Sequence, residues 1–210
     1  MMMTPVPTAF SPDAVLFDCD GTLLLTAELH FEAMAEAALR QGATMPRDWY
    51  MSLTGLGRHD TWLQLETDFG LSLDLPRLNA ESIALTVDRA ARAQANPPVA
   101  ALAGRLAGRL PVAVVTNSEA AIARAFLRAA GLATLFDAIV TVEDARHPKP
   151  APDLYHTAAR RLGVAPGRCL VLEDSTQGLA AARDAGAICL DVRDPGWWPD
   201  AARMLGLPTA

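Results

Sequence analysis

Two aspartates, Asp18 and Asp20, stand one residue apart at the end of the apolar run Val15-Leu16-Phe17, and Gly21 follows them. The run reads as the end of a buried strand. Gly21 allows a sharp turn just beyond it. Such a strand carries both carboxylates out of the core at its carboxyl end, where open α/β sheets bind ligands. Carboxylates this close repel unless a cation or a shared proton lies between them. The pattern therefore points to a metal site, to an acid beside a base, or to both.

Three later segments have the same form. Val112-Ala113-Val114-Val115 runs into Thr116-Asn117-Ser118, which brings neutral hydrogen-bonding groups to a strand end ahead of a helix. Ser118 reads as the N-cap of that helix. Among the 18 lysines and arginines, Lys149 is the only lysine, and it sits between Pro148 and Pro150. A compact ammonium on a stiffened loop suits one oxygen deep in a site, where a guanidinium fork does not. Cys169-Leu170-Val171-Leu172 ends in the adjacent acids Glu173 and Asp174. Carboxylates for a hard cation, neutral donors and one positive charge are what phosphoryl transfer requires.

These four segments, in order, resemble the motifs of the haloacid dehalogenase (HAD) superfamily. Asp18-Cys19-Asp20-Gly21-Thr22 is similar to its first motif, Thr116 with Asn117 to its second, Lys149 to its third and Glu173-Asp174 to its fourth. The resemblance implies that Asp18 is a nucleophile forming an aspartyl-phosphate. It implies that Asp20 is the acid and base, with a pKa raised by its anionic surroundings. Mg2+ would be held by Asp18, Asp174, the backbone carbonyl of Asp20, and Glu173 directly or through water. Thr116, Asn117 and Lys149 would hold phosphate oxygens. Dehalogenases of the superfamily lack the second aspartate, so Asp20 favours a phosphate substrate. The expected activity is a Mg2+-dependent phosphatase acting on a small phosphorylated metabolite such as a sugar phosphate. The alternatives are a β-phosphoglucomutase-like phosphotransferase and a non-catalytic ligand-binding domain.

The elements that must place these groups follow from periodicity. Strands are predicted at Val112–Thr116, Ala138–Val142, Cys169–Leu172 and Ala187–Leu190, with helices between them, notably about Glu119 to Ala130 and Thr176 to Ala185. Alternation of this kind implies a Rossmann-like parallel sheet with helices on both faces. Between Leu23 and Asn96 the pattern is helical, with candidates over Ala27–Arg40, Arg58–Phe69 and within Leu75–Ala95, and no strand among them. The α/β core is thus expected over residues 1–24 and 97–210, with an inserted α-helical cap over 25–96. Hinges are expected near 22–28 and 94–99. Specificity should reside in the cap. The loop Thr54-Gly55-Leu56-Gly57-Arg58-His59 offers Arg58 for a second phosphate or a carboxylate, in a position that resembles the substrate-phosphate arginine of the β-phosphoglucomutase branch. His30 aligns with a histidine near the hinge of that branch. Trp49 and Trp62 read as fillers of the cap or walls of its pocket. Trp197 and Trp198 read as packing for the C-terminal segment.

Composition is that of a compact enzyme. Hydrophobic residues make up 51% of 210 and net charge is −6, which argues against nucleic acid as a partner. No apolar run reaches transmembrane length. Met1–Pro12 has neither a basic residue nor an apolar stretch of the kind a secretory leader carries, and reads as a tail. Three cysteines in strand-like contexts fit a reducing cytoplasm. A monomer or weak dimer is expected.

Overall fold

The computed structural model describes residues 10–53 and 55–208; Thr54 and most of the expected tail lie outside them. Its elements in chain order are strands β1 (Ala14–Phe17) and β2 (Leu24–Leu25), helices α1 (Ala27–Arg40), α2 (Arg47–Ser52), α3 (Arg58–Phe69) and α4 (Leu75–Asp88), then β3 (Gln94–Ala95). They continue with α5 (Pro97–Leu106), β4 (Val112–Val115), α6 (Ala120–Ala129), β5 (Ala138–Val140) and α7 (Asp153–Leu162). The last are β6 (Cys169–Glu173), α8 (Thr176–Asp184), β7 (Ile188–Asp191) and α9 (Trp197–Leu205).

Five strands form a parallel sheet in the order β5-β4-β1-β6-β7. Alternation along β1 explains its two-sided burial, because successive side chains point to opposite faces. Val15 and Phe17 join Val99, Leu102, Ile122 and Phe126 on one side. Ala14 and Leu16 join Leu154, Tyr155 and Ala181 on the other. Trp197 is buried in the first cluster and Trp198 packs against it, as expected. The expected α/β sheet with helices on both faces is what the chain forms. Strand ends shift slightly. β5 stops at Val140 because Thr141 and Asp144 bond reciprocally and open a short 3-10 turn. β6 runs on through Glu173, which pairs with Asp191.

The helical stretch between β2 and β3 has its own apolar centre, with Met34, Ala37, Ala38, Trp62, Leu65 and Leu78 buried together. Trp62 is part of this core, and Trp49 donates to Asp68 at its edge. Asp74 caps α4 by accepting from the Arg77 amide, with a proline in the first turn. The absence of strands expected here is corrected: β2 and β3 pair antiparallel, Leu24 with Ala95 and Leu25 with Gln94. Asn96 continues the junction, its backbone N–H donating to Leu23 at 2.8 Å and its side-chain amide to Thr22 at 2.8 Å. Two-residue strands are too short to show a period. The six-residue helix α2 escapes for the same reason.

Candidate active site

The carboxyl ends of the sheet strands carry the candidate residues. Asp18 and Asp20 follow the central strand β1, Thr116 to Ser118 follow β4, and Glu173 and Asp174 close β6. Lys149 arrives on the long connection after β5. The fold thus gathers at one edge groups as far apart in sequence as Asp18 and Asp174.

The deepest group is an ion cluster. Lys149 Nζ donates to Asp18 Oδ1 at 2.7 Å, to Glu173 Oε1 at 2.6 Å and to the Val115 carbonyl at 2.8 Å. All three of its N–H donors are used. Its side chain is 3% exposed and that of Glu173 is wholly buried. Burial alone would lower the lysine pKa, but the Asp18 and Glu173 carboxylates raise it well above its ordinary value. Asp18 is also raised well above its ordinary value, first by burial and then by the charge of Glu173, which outweigh Lys149. Burial and Glu173 likewise push Asp174 up to about 6, although Thr22 donates to it at 3.0 Å. Glu173 goes the other way. Burial opposes its ionisation, but Lys149, the Ser175 amide and the Ser175 hydroxyl hold it below its ordinary value. Its Oε1 also accepts from Tyr155, and its Oε2 from the backbone of Asp174 and Ser175.

Glu173 fits this space because α8 presents a glycine to it. A Cβ at Gly178 would overlap the Glu173 carboxylate. Gly178→Ala is therefore expected to cost about 3 kcal/mol in urea unfolding, the upper range for overpacking. A loss under 0.5 kcal/mol, of the size of a neutral surface change, would show that Glu173 can move without consequence. At the first motif, Gly21 has φ +95°, and a Cβ there would overlap Asp174. The turn expected after Asp20 is present and lets the first and fourth motifs touch.

Asp20 differs from expectation. Its carboxylate does not join the cluster. Oδ1 accepts from Thr26 at 2.7 Å and contacts His30 Nε2 at 2.9 Å, while Oδ2 accepts from Thr116 at 3.1 Å and Ser118 at 2.7 Å. Burial would raise its pKa, but the His30 imidazole and these hydroxyls hold it well below the usual carboxylate range. The raised pKa expected from anionic crowding is thus corrected, because four donors surround Asp20 here. Ser118 is a donor to Asp20 and not the N-cap of α6, which is Glu119.

Asn117 turns toward Lys149. Its Oδ1 accepts from the Lys149 amide at 2.8 Å, and its Nδ2 donates to the Lys149 carbonyl at 3.1 Å and to the Gly55 carbonyl at 3.3 Å. It fixes the loop that carries the lysine and ties it to the helical insertion. Thr116 accepts from the Ser118 amide and donates to Asp20.

His30 and Arg58, from the insertion, meet these core groups. Arg58 Nε lies 3.2 Å from both Glu119 oxygens, and Nη2 lies 3.1 Å from His30 Nδ1. A guanidinium only donates, so Nδ1 accepts and Nε2 carries the proton that His30 offers Asp20. A cavity of about 140 Å3 lies between core and insertion, with Asp18, Asp20, Lys149 and Asp174 on one side and Tyr50 and Arg58 on the other.

Residues 12–186 match the model of the haloacid dehalogenase-like hydrolases. The chain belongs to this family. It is 35% identical over 184 residues to fructose-1-phosphate phosphatase YqaB of Escherichia coli, covering 85% of this chain and 95% of that protein. It is 34% identical over 191 residues to CbbY of Rhodobacter capsulatus, with 82% of each covered. The crystal structure of a CbbY variant from Rhodobacter sphaeroides in complex with xylulose-1,5-bisphosphate superimposes with a TM-score of 0.77 at 29% identity, covering 85% of this chain and 84% of that one. Membership bears out the HAD resemblance and the expected enzyme class, a phosphoric monoester hydrolase.

As a HAD-like hydrolase the chain shows an acidic cluster suited to a cation. Asp18, Glu173 and Asp174 each offer a carboxylate oxygen, and the three lie within 4.8 Å of one another. Lys149 bonds only two of these three carboxylates, so the oxygens and the excess negative charge fit a hard divalent ion. This has a consequence for metal-free protein. Asp174 binds its proton more tightly folded, at about 6, than at its ordinary 3.8. That contribution to stability is complete below about 3.8 and is lost as pH rises toward 6. Asp18 has the same sign. Asp20 and Glu173 are lowered, so they act in the opposite sense, below their ordinary 3.8 and 4.5. Between pH 4.5 and 6 the unfolding free energy without divalent ions should therefore fall as pH rises, and Mg2+ should flatten the slope. Urea titrations at stepped pH test this; a rise over that interval in chelator would contradict it.

Several functional neighbours were not visible in sequence. Ser118 looks like any helix-capping serine, Tyr155 like a core aromatic on α7, and Glu119 like a helix-start acid. Each acts through its side-chain direction, which spacing does not encode. Among the described residues, Cys19, Cys169 and Cys189 are free thiols, and no helix is long and apolar enough to cross a membrane.

Proposed function

We propose that the chain is a Mg2+-dependent phosphatase of a small phosphorylated metabolite, a sugar phosphate or close analogue, acting through an aspartyl-phosphate on Asp18. The observation that carries this reading is Asp18 at the end of the central strand, 2.7 Å from the sole lysine and beside Glu173 and Asp174. Relatives named for fructose 1-phosphate and for phosphorylated carbohydrates support the substrate class.

Asp18 attacks phosphorus while Lys149 neutralises charge on the nucleophile and on the transferring oxygens. Asp18, Asp174 and the Asp20 carbonyl, with Glu173 behind them, would hold Mg2+, which would supply further charge neutralisation. Asp20 gives a proton to the leaving oxygen, then takes one from the attacking water. In the arrangement described, Asp20 is ionised and surrounded by donors, which suits a base. To act as an acid it must leave Thr26, His30 and Ser118 for the anionic side of the cavity, where burial and negative charge favour its protonated form. The helical insertion over residues 25–96 serves as a cap that covers the cavity and excludes water, with the β2–β3 ribbon and Asn96 as its hinge.

The test is phosphate release from a panel of phosphorylated metabolites, with Mg2+ and with chelator. Release from a few related sugar phosphates that chelator abolishes supports the reading. Conversion of β-glucose 1-phosphate to glucose 6-phosphate without release would make the chain a phosphotransferase. No turnover of any ester would leave a ligand-binding domain.

A further inference from the structure

Among the described residues, Arg58 is the one arginine that lines the cavity, yet it is already paired. Its Nε lies 3.2 Å from both oxygens of Glu119, and its side chain is 4% exposed. Nη2 is shared between His30 Nδ1 at 3.1 Å and Thr86 at 3.4 Å. Nη1 is buried with no partner among the described residues. Glu119 also lines the cavity. It stands at the N-terminal end of α6, where a helix would otherwise offer free amides to an anion. That end is not free: the Ala120 amide donates to both carboxylate oxygens of Glu143 at 3.1 Å. With Glu143 capping the helix, the Glu119 side chain is left to reach the arginine. The far wall therefore presents a neutralised arginine, a carboxylate and a helix end already covered by a second carboxylate.

From this we infer that the Arg58–Glu119 pair sets the substrate class: a phosphate monoester whose remainder is uncharged and hydroxylated, in preference to a bisphosphate or a phosphorylated acid. The inference rests on the phosphatase reading above. A second phosphate must either displace Glu119 from Arg58 Nε or share the arginine with it, and in both cases it lies beside a half-buried carboxylate, a like-charge contact that opposes binding. A hydroxyl needs no displacement. It can donate to the lone pairs of Glu119 that Arg58 leaves unused, and the unpartnered donor of Arg58 remains available after a small adjustment. Glu119 acts here as a specificity residue and takes no part in bond making.

The experiment compares kcat/KM for fructose 1-phosphate and fructose 1,6-bisphosphate, in the wild type and in Glu119→Gln, with Mg2+. Turnover of p-nitrophenyl phosphate is measured alongside as a control. The wild type should prefer the monophosphate, and Glu119→Gln should shift the ratio toward the bisphosphate by about tenfold or more. A wild type that hydrolyses the bisphosphate as well as the monophosphate overturns the inference, and so does a ratio unchanged in a folded Glu119→Gln. The wild-type ratio decides the matter even where the variant does not fold. Turnover of p-nitrophenyl phosphate with the wrong ratio removes this inference alone; no turnover of any of the three esters removes the phosphatase reading with it.

Discussion

Asp18→Asn is expected to lower kcat on any phosphate monoester by at least about 10^4-fold, the scale seen when a nucleophile is removed from a site otherwise intact. The substitution keeps the shape and an oxygen acceptor for Lys149, so the 2.7 Å contact can persist. It removes a charge that burial and Glu173 already disfavour. The variant should therefore fold, with a melting temperature in chelator equal to or above that of the wild type. Turnover and thermal unfolding measured on one preparation separate the two effects. An inactive variant that is also strongly destabilised would assign Asp18 a structural role, and an active one would remove the nucleophile from the account.

The second large effect is on stability. Lys149→Met deletes the ammonium that bonds Asp18 and Glu173 and whose charge also acts on Asp174. Removing one partner of a buried ion pair typically costs about 3–5 kcal/mol, because the remaining charge stays buried and unpaired. A loss of that size is expected in urea unfolding at pH 7 in chelator. Part of it should return on addition of Mg2+, which supplies positive charge to the same oxygens, and part on lowering pH toward 5, as Asp174 takes up its proton. Activity should fall by about 10^2–10^3-fold or more, as when one donor to a developing anion is lost. A variant as stable as the wild type in chelator would show that the cluster is held together by something other than Lys149.

Much of this was legible in sequence, for a physical reason. Asp18, Thr116 and Glu173 sit at the ends of apolar runs, and in a parallel sheet those ends share one edge, so strand patterning alone brings them together. Lys149 stood out as the only lysine among arginines. The ends of helices α1 and α3 are marked in the sequence by the helix-breaking Gly42 and Gly70 just beyond them. The β2–β3 ribbon is not, since its pairing is a tertiary fact carried by four residues. The surroundings of Asp20 are not legible in the sequence, because Ser118 and His30 are 98 and 10 residues away and reach it only by side-chain direction. Glu119, as an acid at a helix start, has an ordinary explanation in the helix dipole. The structure shows instead that Glu143 accepts from the first amide of α6, and that Glu119 faces the insertion.

The central claim is that the phosphoryl group passes through Asp18. It is tested most directly by acid-quenching the enzyme during Mg2+-supported turnover of a sugar phosphate, reducing any acyl-phosphate with borohydride, and locating the altered residue by peptide mass spectrometry. The account predicts modification at Asp18 and nowhere else, appearing with substrate and absent in Asp18→Asn. Sustained phosphate release with Asp18 unmodified, or with the label on another residue, would contradict it.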